Sequence, residues 1–181
     1  RIEKNHDPES LKKTEIIIFF RLRPLITITA AIVLWLLSIQ AHGQEPPPQP
    51  INVTLQQDLG FGAFYHYMAG GTVIINPDGS RQATGDIVLL NLGFAWSSAL
   101  FSITGTSGTV VSLLNGPDVL LTGSNGGSLN FSIGDSDPPS PFVLTSGPLQ
   151  LYVGGTITVG NPAANPPGNF SGTFDITFIQ E

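Results

Sequence analysis

From Ile51 onward the chain is cut into short segments in which apolar and polar residues alternate, each bounded by Gly, Pro, Asn or Asp. A period of two marks a half-buried strand, and segments this short leave no room for helices. Ile51, Val53 and Leu55 fall on one face, with Asn52, Thr54 and Gln56 on the other. Further strands are expected at residues 72–75, 87–90, 99–104, 109–114, 119–122, 129–133, 149–153, 156–159 and 170–179. Asn76-Pro77-Asp78-Gly79 is a strong turn signal, and residues 135–141, with three prolines, are expected to form a surface loop. Short strands in sequence with turns between them point to an all-β fold, an Ig-like antiparallel β-sandwich.

The expected core follows from the alternation. It comprises Val73, Ile75, Leu89, Phe101, Ile103, Val153, Ile157, Phe174, Ile176 and Phe178. Phe170, Phe174, Ile176 and Phe178 share one face of what reads as a single last strand. The chain has no cysteine. The sandwich must therefore hold by packing and backbone pairing, and thiolate metal sites and a cysteine nucleophile are excluded.

Charge divides the chain in two. Six of its seven basic residues lie at or before Arg23, and an uncharged apolar run follows from Leu25 to Ile39, ending at Ala41-His42-Gly43. A basic region, an apolar region and a small-residue exit are the parts of a secretory signal peptide at 1–43. The uncharged run is shorter than the roughly 20 residues a spanning helix needs. Cleavage is the reading taken, and an uncleaved anchor, the one route to a membrane, is the alternative. Residues 44–50, rich in proline, read as an extended spacer before a domain at 51–181. An exported location follows: cell surface, outer membrane or extracellular.

After the leader, nine acidic residues stand against Arg81 alone. Nucleic acid is bound through many lysine and arginine contacts to phosphate, so it is not an expected partner. The same composition favours solubility.

Few residues invite chemistry. His66 is the one histidine after the leader, within Phe64-Tyr65-His66-Tyr67, and no Gly-x-Ser-x-Gly elbow accompanies it. It reads as an ordinary residue of an aromatic cluster. Asp135 and Asp137, with Asp78 or Asp118, are oxygen donors of the kind calcium takes. The full calcium-loop motif is missing, and solvated carboxylates are the preferred reading. Gly70-Gly71, Gly126-Gly127 and Gly154-Gly155 read as turns or bulges, since an anion-binding P-loop needs a lysine. Asn52-Val53-Thr54 and Asn169-Phe170-Ser171 match the glycosylation acceptor pattern, which matters in a eukaryotic secretory route. No catalytic residue, metal ligand or cofactor is expected, and the protein is expected not to be an enzyme.

Four segments taken together carry a resemblance. They are Leu59-Gly60-Phe61-Gly62, Gly71-Thr72-Val73-Ile74-Ile75-Asn76-Pro77-Asp78-Gly79-Ser80-Arg81 through Thr84-Gly85, Leu151-Tyr152-Val153-Gly154-Gly155-Thr156-Ile157, and Pro167-Gly168-Asn169-Phe170-Ser171-Gly172-Thr173-Phe174. In this order the chain resembles the bacterial domain-of-unknown-function family 4402. The closing segment is similar, more loosely, to the spore-coat-U and fimbrial-subunit type of sandwich. Two departures from that second pattern are the missing cysteine pair and Phe170 in place of tyrosine.

The resemblance implies an exported sandwich and transfers no catalytic residue. The expected function is a non-enzymatic structural or adhesive protein of the cell surface, of the kind that forms pilus-like assemblies. The alternative is a monomeric surface binding module for a glycan or calcium. Self-association by strand exchange is expected through Ile51, Val53 and Leu55, whose uncharged alternating segment follows the proline-rich spacer. The competing expectation, the one preferred, makes this segment the first strand of its own domain.

Overall fold

The computed structural model describes residues 49–181, so the expected signal peptide at 1–43 and nearly all of the expected spacer at 44–50 lie outside the described residues. The described chain is all β. Its strands are β1 (Asn52–Gln57), β2 (Gly60–Phe61), β3 (Ala63–Ile75), β4 (Arg81–Leu90), β5 (Trp96–Ser97), β6 (Ala99–Thr104), β7 (Val110–Asn115), β8 (Val119–Gly123), β9 (Ser128–Asp137), β10 (Phe142–Val143), β11 (Leu149–Val159), β12 (Phe170–Ser171) and β13 (Ile176–Gln180). All the pairings between strands are antiparallel.

β11 is the hub of the large sheet. One of its edges runs along β9. The other edge is shared: Leu149–Val153 lies beside β6, and Gly155–Val159 lies beside β3. From β6 the sheet continues to β1, from β9 to β8 and β12, and from β3 to β4. The handover falls at Gly154, where the ladder with β9 slips by one residue. A Cβ there would sit 2.4 Å from the Ile75 carbonyl oxygen, so only glycine lets the β3 end approach. The two strands expected at 149–153 and 156–159 are therefore one, continuous through Gly154, which lies opposite a one-residue bulge in β9.

A three-stranded sheet, β10-β7-β13, covers one end of this surface. Ala99, Ile103, Leu151 and Val153 of the large sheet meet Val111 and Phe142 of the small one in a first core cluster. This is the sandwich. A second cluster, Val73, Leu129, Phe131, Ile157 and Val159, lies at the other end, where the short β2-β5 pair and the N-terminal part of β3 approach.

The last strand differs from expectation. β12 pairs with β8 in the large sheet, while β13 pairs with β7 in the small one. Residues 172–175 carry the chain from one sheet to the other. The alternation of Phe170, Phe174, Ile176 and Phe178 persists because both sheets face the same interior, and Phe174 packs against both clusters. Of the expected core, Val73, Ile75, Ile103, Val153 and Ile157 are fully buried. Leu89, Phe101, Phe174, Ile176 and Phe178 are half-buried around them. Residues 135–137 continue β9, and only 138–141 form the expected loop.

β1 forms the edge of the large sheet and pairs with β6 of its own chain, Val53 opposite Ile103. Ile51 and Val53 pack on the first cluster. Leu55 is half out in solvent, where the ladder slips before Gln57.

Candidate binding recess

Beneath β2 the second core cluster is not fully covered. A recess of about 690 Å³ opens there between Phe61, Ala63 and Phe64 on one side and Phe170, Ser171 and Gly172 on the other. Leu121, Leu129, Phe131 and Ile157 form its floor. Phe131 is 2% exposed, with the Phe61 ring edge-on at 6.1 Å and the Phe174 ring at 5.0 Å. Leu92 and Phe94 stand at its rim, 64% and 58% exposed.

Each wall has a local cause. β3 extends from Ala63 because Phe64-Tyr65-His66-Tyr67 is a run of strand-favouring aromatics. Phe64 and His66 turn into the recess, while Tyr65 and Tyr67 stand outside with rings edge-on at 4.9 Å. Strict alternation of apolar and polar is absent here, so the sequence reading missed this half of the strand. Between His66 and Gly71 the ladder with β4 breaks. Gly70, at φ 67°, lies in the bulge of β3 at this break.

Arg81 holds this wall in place. Its Nη1 donates to the Phe61 carbonyl (3.0 Å) and the Ala63 carbonyl (3.2 Å), and its Nη2 donates to the Leu90 carbonyl (3.0 Å). The guanidinium also lies 4.2 Å over the Trp96 ring. One cation thus ties together the β2–β3 junction, the end of β4 and β5. Partial burial pulls it below its ordinary value, and a guanidinium still keeps its charge. Its isolation in an acidic domain was the sequence signal that could have singled it out.

The opposite wall is the loop between β11 and β12. Asn161 Oδ1 accepts from the Ala163 and Ala164 N–H groups at 3.0 and 2.9 Å. Buried Asn165 accepts from the Gly160 N–H and donates to the Ser128 and Ala164 carbonyls. Asn125 donates to the Pro167 carbonyl (2.7 Å), and Ser124 exchanges bonds with Asn169. His66 Nε2 lies 3.1 Å from the Asn165 carbonyl, joining the two walls.

Two of the carboxylates weighed for calcium are engaged locally. Asp78 accepts from the Ser80 N–H at 2.8 Å in the β3–β4 turn. The Ser80 hydroxyl, and after it the Ser80 backbone, hold its carboxyl below the usual range. Asp118 accepts from Asn130 at 3.0 Å, and Asp135 and Asp137 lie exposed on β9. Among the described residues, no three of His, Asp or Glu come together. Asp58 and His66 are the titratable residues of the recess lining. Gly70-Gly71 lies at a bulge of β3, Gly154-Gly155 lies opposite a bulge of β9, and Gly126-Gly127 turns the chain from β8 into β9.

No curated protein and no solved structure matches the chain. The family defined as domain of unknown function DUF4402 matches residues 51–179, nearly the whole of the sandwich. With most of its length inside that match, the chain belongs to the DUF4402 family.

Proposed function

We propose that the protein is an exported, non-enzymatic protein of the bacterial cell surface, structural or adhesive in role, that works by binding at the recess. The observation that carries this reading is the recess itself: an exposed apolar rim over an aromatic floor. Concavities in which polar groups stand among apolar and aromatic side chains are the usual form of binding sites, and an exposed apolar rim marks contact with another molecule. The leader supports export. Intact-mass analysis of the exported protein is expected to show Gln44 as its N-terminus. Whole cells displaying it are expected to lose adhesion when Leu92 and Phe94 are both changed to serine. A mass retaining Leu25 to Ile39 means an anchored protein, and unchanged adhesion removes the recess from the function.

A second reading, assembly by strand exchange, draws support from β1. This edge strand has one partner strand, carries no charge, and offers Ile51 and Val53 to the first cluster. A swapped β1 would fill the same place beside β6 of a second copy, with Asp58 and Leu59 as the hinge. Removing residues 49–57 is expected to leave a chain that folds only when the missing strand is added as a peptide. Full-length protein that stays monomeric at high concentration and in surface extracts ends this reading.

A further inference from the structure

Large apolar side chains left in water are concentrated at one end of the sandwich. Of the thirteen among the described residues, seven lie between residues 65 and 96. Tyr65, Tyr67, Met68 and Val88 belong to the β3–β4 hairpin, and Leu92, Phe94 and Trp96 follow it. Pairing explains the concentration. β11 accompanies β3 only from Gly71 to Ile75, so Ala63–His66 and Ile87–Leu90 form a two-stranded ribbon with no third strand paired to it. On its outer side the Tyr65 and Tyr67 rings lie 4.9 Å apart, and Val88 is the ladder partner of Tyr65. None of these three, nor Met68, lines the recess. At the tip, a Cβ on Gly62 would lie 3.2 Å from the Phe94 carbonyl oxygen and 3.4 Å from the Trp96 Cβ, which places both beside the start of the ribbon. A cluster of exposed apolar groups of this kind marks a contact surface.

Charge and composition narrow the partner. Across residues 58–69 and 86–96 the charged side chains are Asp58 and Asp86, both exposed. Arg81, the one lysine or arginine after residue 43, is committed to three carbonyls and Trp96. An anionic surface would meet carboxylates and no free cation. A second copy brings nine acidic residues against one arginine on each side, and the two repel. A glycan needs polar side chains beside the rings to fix its hydroxyls, and beside Tyr65 and Tyr67 stand Val88 and Met68. Tyrosine and tryptophan have the apolar body and polar tip of side chains that collect at membrane–water interfaces, and Leu92 and Phe94 add purely apolar surface.

We propose that this end of the domain rests on a zwitterionic lipid surface, through Tyr65, Tyr67, Leu92, Phe94 and Trp96. The contact is shallow. β4 has no strand on its other side, and its free backbone groups are costly in hydrocarbon, so the ribbon stays at headgroup depth. This contact is separate from the recess and involves no part of residues 1–43.

The test uses the full exported protein and vesicles of phosphatidylcholine, alone or mixed with an equal part of anionic phosphatidylglycerol. Flotation with the phosphatidylcholine vesicles is expected. Trp96, the one tryptophan after residue 43, should shift its emission to the blue and be quenched by brominated acyl chains. The anionic mixture should bind several-fold more weakly at low salt, and the difference should shrink at high salt. Tyr65→Ser combined with Tyr67→Ser should weaken binding about tenfold, because two half-exposed rings no longer leave water. No binding to phosphatidylcholine overturns the proposal, as does tighter binding to the anionic mixture or binding that the two serines leave unchanged. A dimer in solution that the serines abolish, without vesicle binding, overturns it in favour of a second copy. Maltohexaose binding lost in the same way overturns it in favour of a glycan. Should the double variant not fold, quenching of Trp96 in the unaltered protein decides. Both tyrosines lie outside the recess lining, so failure here leaves the recess reading standing on its own adhesion test.

Discussion

Replacing Phe131 with alanine is expected to cost about 3–5 kcal/mol, the range for a fully buried phenylalanine. Phe131 sits at the centre of the second core cluster and is 2% exposed. Its ring closes the gap between Phe61 of β2 and Phe174 of the crossing between sheets. Neither neighbour can collapse into the space, because Phe61 is tethered through its carbonyl by Arg81 and Phe174 is held against both clusters. Reversible urea denaturation measures the loss. A cost under about 1 kcal/mol would mean that the floor of the recess relaxes freely, and that the second cluster is not a core. The same change deepens the recess, so an apolar probe should bind the folded variant in a different pose.

Arg81→Met is expected to cost about 2–4 kcal/mol. Three carbonyls, of Phe61, Ala63 and Leu90, lose a charged donor at once, and Trp96 loses its cation. Hydrogen bonds to a charged group contribute roughly 1.5–3 kcal/mol each. Water at this half-buried position recovers part of the sum. Methionine keeps the length of the stem, so the loss reports the guanidinium and not the packing. Trp96 emission should shift to the red in the folded variant as β2 and β5 loosen, and apolar ligands should bind more weakly. A stability change under about 0.5 kcal/mol with unshifted emission would show that the β2–β5 cover stands without Arg81.

The recess depends on features with no local pattern. Phe64 and His66 read as members of an aromatic run in which both faces are apolar or amphipathic, so a period of two could not show which face was inward. In the sequence Arg81 stands out only as a lone cation among acidic residues, and its three carbonyl partners come from residues 9 to 20 positions away. Asn165 lies in a Pro-Ala-Asn stretch that reads as ordinary loop, and its link to His66 spans 99 residues. His66 itself was read as an unremarkable cluster residue. It lies on the inner side of β3, and its contact with the Asn165 carbonyl became visible only with both walls in position.

What the sequence by itself determined is the class of the fold and the interior face of most strands. Alternation placed Val73, Ile75, Ile103, Val153 and Ile157 in the core, because a strand's side chains point to opposite faces whatever it pairs with. The turn at Asn76-Pro77-Asp78-Gly79 was equally local: its bonds, from Gly79 N–H to the Asn76 carbonyl and from Ser80 N–H to Asp78, close within five residues. Pairing is a different matter, because hydrogen bonds between strands are made by backbone atoms that every residue shares. Which strand lay beside which, the splitting of the last strand between two sheets, and the sharing of one β11 edge by β6 and β3 were therefore decided only by the tertiary structure. The recess between β3 and β12 is a product of that pairing, and so no segment of the chain announces it.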